Sequence, residues 1–148
     1  MTYVHAGSPD PYDVRRVNDS LVAAAKELIE AAGTINDGTV QRQVLDNYSQ
    51  VLGVGESHLK GPGAGLVWLD FDHLPDSAPP QVVGHTRHDR PKQKGNVYCQ
   101  NVIQNNLSTD GGEAVFVESP HRLDALIRQP DGCSKRVQLC QITNLQDI

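Results

Sequence analysis

The chain has 148 residues, of which 38% are hydrophobic and 21% charged, and a formal net charge of -5. That length and balance predict a single folded domain rather than a disordered chain, and an acidic surface disfavours non-specific duplex DNA binding, which rests on phosphate neutralisation. No apolar run approaches the roughly 18 residues of a membrane span. The opening Met1-Thr2-Tyr3-Val4-His5 lacks the basic and apolar regions of a secretion signal. A cytoplasmic protein with no membrane partner is therefore expected. The three cysteines, Cys99, Cys133 and Cys140, are odd in number and lack a CxxC spacing, which predicts reduced thiols rather than a disulfide framework.

The first part reads as a helical hairpin over residues 10–53. Asp10 is placed to cap a helix, with Pro11 in its first position. Val14, Val17, Leu21, Ala24 or Ala25, Leu28 and Ala32 then recur at helical spacing, and Gly33 supplies a stop. Thr39 is placed to cap a second helix carrying Val40, Val44, Tyr48 and Val51 on one face, ended by Gly53. Residues 54–65 are rich in Gly and Pro, hold neither helix nor central strand, and form the connection to the rest.

From residue 66 the period changes. Leu66–Phe71, Gln81–Gly84, Asn96–Ile103, Ala114–Glu118 and Arg136–Ile142 are short β-rich runs bounded by Gly, Pro, Asn and Asp. His121–Gln129 fits a short helix better than a strand. Helices followed by strands predict an α+β fold. The expected form is an N-terminal helical hairpin packed on a mainly antiparallel sheet of five or six strands, in one domain spanning 1–148.

Four of the thirteen Lys and Arg residues fall within positions 85–95: Arg87, Arg90, Lys92 and Lys94, together with His85 and His88. A cationic segment on an anionic body focuses the local field and can hold a phosphate or a carboxylate. Metal-free RNA cleavage needs a base for the 2′-hydroxyl, an acid for the leaving oxygen and a cation for the phosphorane charge. His85 and His88 are of the type for the first two roles and Arg87 for the third, with Arg90, Lys92, Lys94 and Gln104 as further phosphate or nucleotide contacts. The plain alternative is a solvated loop.

Three stretches resemble the PemK/MazF family of small RNA-cleaving toxins. They are Gly65-Leu66-Val67-Trp68-Leu69-Asp70-Phe71-Asp72, Pro80-Gln81-Val82-Val83 through Asn106-Leu107, and Arg136-Val137-Gln138-Leu139-Cys140-Gln141-Ile142. They cover about half the chain, and each is short. The resemblance implies a compact SH3-like barrel, a ribonuclease activity, an antitoxin as protein partner and a homodimer. The family cuts with an arginine before a proline and with a threonine after the third strand. Those places hold Pro79 and a residue near Gln104, so the resemblance implies the fold and an RNA-facing surface more than the cut itself.

No cofactor and no metal are expected. Asp70, Asp72, His73, His85, His88 and Asp89 offer oxygen and nitrogen ligands, but His85-x-x-His88 has no helix to align its rings and no signature spacing completes a set. Ser57-His58 does not complete a zinc-peptidase pattern, and the glycines of 53–65 are not a phosphate-cradling loop. Two readings stay open: a toxin or defence-type protein engaging RNA or a nucleotide phosphate, with metal-independent endoribonuclease chemistry, and a non-enzymatic module. The second covers an immunity-like or inhibitory protein holding a basic partner, or a phage structural subunit.

Overall fold

The computed structural model of the chain describes residues 1–56, 60–102 and 113–142. The expected α+β class holds, with three helices and two sheets named among the described residues. In chain order the elements are β1 (Thr2–Tyr3), α1 (Val14–Ala31), α2 (Asp37–Asn47), α3 (Ser49–Leu52), a 3₁₀ turn (Phe71–His73), β2 (Gln81–Val83), β3 (Lys92–Lys94), β4 (Val97–Cys99), β5 (Ala114–Ser119), β6 (Arg122–Arg128) and β7 (Ser134–Gln141). No described helix is long and apolar enough to cross a membrane.

Helix α1 starts three residues later than Asp10 and Pro11 suggest. The Asp13 carboxylate accepts from the backbone N–H of Arg15 at 2.8 Å and of Arg16 at 3.3 Å, satisfying amides that have no partner within the helix. Asp10 is engaged instead in a local turn: its carbonyl accepts from the Ser8 hydroxyl, and its N–H donates back to that oxygen. After α1, Gly33 takes φ +74°, a conformation glycine adopts without strain. Helix α2 begins at Asp37 with Asn36 at its N-cap, so Thr39 lies inside its first turn. The Tyr48 hydroxyl donates to Glu27 and ties α2 to α1. The hairpin meets the rest of the chain through backbone bonds: Gly65, Leu66 and Val67 donate to the carbonyls of Gly53, Gln50 and Val51.

The strands form two sheets rather than one. The first has the order β1-β2-β4-β3, with β1, β2 and β4 parallel and β3 antiparallel to β4. The second is an antiparallel meander, β5-β6-β7. Among the described residues the two sheets do not close into a barrel. They meet through Val82 and Tyr98 on one side and Leu123 on the other, with Met1, Phe116, Leu139, Cys140 and Ile142 around them. The opposite face of the first sheet, Val83, Val97 and Cys99, packs on Leu69, Phe71, Leu74 and Ala78. Covered on both faces, β2 and β4 are buried along their whole length, including the polar Gln81, whose side chain donates to the Ser8 carbonyl and accepts from Ser8 N–H.

Two assignments made from periodicity are corrected. Leu66–Phe71 is not a strand. Trp68 and Leu69 both donate to the Gly65 carbonyl, and Asp70 caps the 3₁₀ turn, so capping and turn chemistry outweigh the β-rich composition. His121–Gln129 is not a helix. Its residues 122–128 form the central strand β6, paired on both sides, and those ladders override a spacing that suits either state. Lys92–Lys94 belongs to edge strand β3 rather than to a loop. It turns into β4 at Gly95, whose φ is +54° and whose Cβ, if present, would lie 2.0 Å from the Asp76 carbonyl oxygen.

Candidate functional site at the carboxyl ends of the parallel strands

Because β1, β2 and β4 are parallel, their carboxyl ends open at the same edge of the sheet. The chain leaves β1 at Val4-His5, β2 at Gly84-His85 and β4 at Gln100-Asn101. Val4 N–H donates to the Val82 carbonyl at 3.0 Å, and the N–H groups of Gly84 and His85 both donate to the His5 carbonyl, at 2.9 and 2.8 Å. His5 is thereby fixed beside His85, although 80 positions separate them in sequence. From the β4 side, the Asn101 side-chain amide donates to the His85 carbonyl at 3.2 Å, and the Asn101 carbonyl accepts from His88 N–H at 2.8 Å.

The side chains converge accordingly. His5 Nε2 and His85 Nδ1 lie 3.0 Å apart in a hydrogen bond. The Trp68 ring meets His85 edge-on with centroids 6.0 Å apart, and Phe71 meets His88 likewise at 5.4 Å. Asp70 lies near enough to influence both imidazoles: its carboxylate accepts from the Thr86 hydroxyl and from Phe71 N–H, and Thr86 Oγ1 accepts from Phe71 N–H at 2.8 Å. Beneath, the Cys99 thiol donates to the Thr86 carbonyl. Burial pushes that thiol above its ordinary pKa, which disfavours the reactive thiolate.

Burial, above all, holds both His85 and His88 below the usual imidazole value of 6.5. For His85 the neighbouring His5 and Lys60 add to the effect and Asp70 opposes it. For His88, Lys92 adds, while Asp72, Asp70 and Asp89 oppose. Both rings are neutral near pH 7. The Nε2 atom of each is enclosed and has no hydrogen-bond partner among the described residues. His85 therefore presents no free nitrogen to solvent, and the exposed ring of the pair is His5.

Of the residues singled out from the sequence, His85 packs on His5 and Trp68, and His88 on Phe71. Arg87 and Arg90 are exposed, and among the described residues neither forms an ion pair. Lys92 is exposed near His88. Lys94 turns away, donating to the Asp72 carbonyl at 2.9 Å. Gln104 lies outside the described residues, as do His58, most of the amide-rich stretch after Asn101 and the turn at 110–112. Pro79 is half-buried just before β2. Among the described residues no group of three His, Cys, Asp or Glu side chains converges as a metal ion would need.

Sequence reasoning missed His5, Lys60, Thr86 and Asn101. The single signal for His5 was the short β-rich run Thr2-Tyr3-Val4 before it, which nothing in the chain linked to residue 81. No protein-family model, no curated protein and no solved structure matches the chain. The likeness to the PemK/MazF toxins therefore rests on its short motifs alone.

Proposed function

We propose that the chain is an RNA-engaging protein of the toxin or defence type that takes a phosphate at the carboxyl ends of β1, β2 and β4. The observation that carries this reading is the His5–His85 hydrogen bond, set beside Lys60 and in the segment that also carries the exposed Arg87 and Arg90. Carboxyl ends of parallel strands converge loops on one spot and are a common place for a ligand. A neutral, half-buried imidazole behind an exposed one orients the outer ring and lets the two share a proton.

In the cleavage step, His5 takes the proton of the RNA 2′-hydroxyl as that oxygen attacks phosphorus. The phosphorus–5′-oxygen bond breaks, the 5′-oxygen takes that proton from the His5 imidazolium, and a 2′,3′-cyclic phosphate remains. Arg87 and Lys60 neutralise the phosphorane oxygens. His85 positions His5.

A specific observation favours a second reading, an interaction module that binds without cutting: the enclosed Nε2 atoms of His85 and His88 leave one accessible ring to serve both proton transfers. Labelled single-stranded RNA of mixed sequence, incubated with the protein in EDTA, separates the two. Products ending in cyclic phosphate, reduced about 10²-fold or more by His5→Ala, support cleavage. Intact RNA with salt-dependent binding that Arg87→Ala weakens supports the module. RNA neither bound nor cut overturns both.

A further inference from the structure

Helix α1 has two apolar faces, and the chain covers one of them. Ala24 and Ala31 are buried, with Val17, Leu21 and Leu28 partly covered on the same side. The other side, advanced by roughly a third of a turn of the helix wheel, carries Val14, Val22 and Ile29, which are 51%, 55% and 74% exposed, with Ala25 between them. Ile35, just beyond the helix, is also fully exposed. A stripe of valine and isoleucine facing water costs free energy that a polar residue would not.

One flank of that stripe holds four exposed charges: Arg15, Asp19, Lys26 and Glu30. None of them forms an ion pair among the described residues. Their order is self-complementary about the middle of the helix. Arg15 and Glu30 are equally far from the point between Val22 and Ala23, and so are Asp19 and Lys26. A second copy of the helix laid antiparallel, related by a two-fold axis through that point, brings the same flank of each helix together. Arg15 of one copy then meets Glu30 of the other, and Asp19 meets Lys26, each pair occurring twice. Val22 meets its own copy near the axis, and Ile29 lies over the turn between Val14 and Asn18. Glu27, on the far side, is already held by Tyr48 within the hairpin and does not interfere.

We infer that this face of α1 is a homodimer interface in which two copies of the chain pair their first helices antiparallel. An 18-residue helix is about 27 Å long, and two helices side by side bury an area at the low end of specific interfaces. The dimer is accordingly a weak one, forming in the micromolar range, and its charge order sets the direction of pairing.

Sedimentation velocity of the full chain over a concentration series tests this. The wild type moves from monomer to dimer as concentration rises. Ile29→Glu, at an exposed position that leaves the circular dichroism spectrum unchanged, raises the dissociation constant at least about tenfold. Arg15→Glu alone and Glu30→Arg alone each weaken the dimer, and the double variant R15E/E30R recovers it to within about threefold of wild type. A chain that stays monomeric throughout overturns the proposal. So does a dimer indifferent to Ile29→Glu, which would place the contact elsewhere, or a double variant that fails to recover.

Discussion

The helical hairpin and the β-rich part are held together by different means. In α1 and α2 together, 29 residues, the fully buried side chains are Ala24, Ala31 and Val44. The three-residue strands β2 and β4 are buried throughout and are pressed between the second sheet and the segment 66–78. The hairpin thus rests on capping, helix propensity and a thin alanine seam, while the β-rich part rests on removal of large apolar surface. Polar groups follow the same division. The buried Asp124 carboxylate in β6 holds Arg122 at 2.9 Å and Arg136 at 2.6 Å, whereas the hairpin charges point into solvent. A functional site that needs fixed geometry belongs on the rigid half, and there His5, His85 and His88 sit. A surface that needs a partner belongs on the half that has not finished burying its apolar residues.

The sharpest way to break this contrast is Leu74→Ala. Leu74 is 0% exposed at the centre of the first core, and its truncation is expected to cost about 2–5 kcal/mol, read as a fall in the urea midpoint. If Leu74→Ala proves as mild as a surface substitution, the β-rich part does not carry the stability.

The next largest effect is on pH dependence. His85 and His88 have folded pKa values below 6.5, so the unfolded chain takes up protons first as pH falls. Their contribution is full above pH 6.5 and is lost as pH falls through the folded values. Thermal melts should therefore show stability falling between about pH 7 and pH 5, and His85→Gln should flatten that slope while Ala24→Gly leaves it parallel to wild type. A wild-type slope of zero in that interval would remove the claim that the imidazoles are held neutral.

Ala24→Gly itself is expected to cost about 1 kcal/mol from helix propensity, well short of Leu74→Ala. Native-state hydrogen exchange should show the amides of α1 and α2 opening at lower free energy than those of β2 and β4. Equal protection in both halves would merge them into one cooperative unit. The smallest effect is that of Ile35→Ser. Its side chain touches nothing within the chain, so monomer stability at low protein concentration should change by less than about 0.5 kcal/mol.

How much of this was legible beforehand varies by region. Helix α1 could be read from its spacing, and only its start was misplaced, because two aspartates three residues apart both satisfy the capping rule and Ser8 captured the first. Strands β2, β4, β5 and β7 were legible as short β-rich runs. Strand β6 was not, since Leu123, Leu126 and Ile127 satisfy a helical period as well as a strand's. Within the candidate site, His85, Arg87 and His88 stood out as a local cluster. His5 did not, because its link to His85 is a backbone pairing between strands 80 positions apart.

The order of residues by itself determined the α+β class, the hairpin and the cationic segment after β2, because each depends on neighbours within one turn or one strand. It also carried the self-complementary charge order of α1, which is a one-dimensional pattern. Only the tertiary structure decided that three parallel strands end together, that the two sheets remain separate, and that His5 stands against His85. Parallel pairing joins segments that share no local signal, and its register is chosen by which apolar faces must be buried rather than by anything the chain displays at those positions.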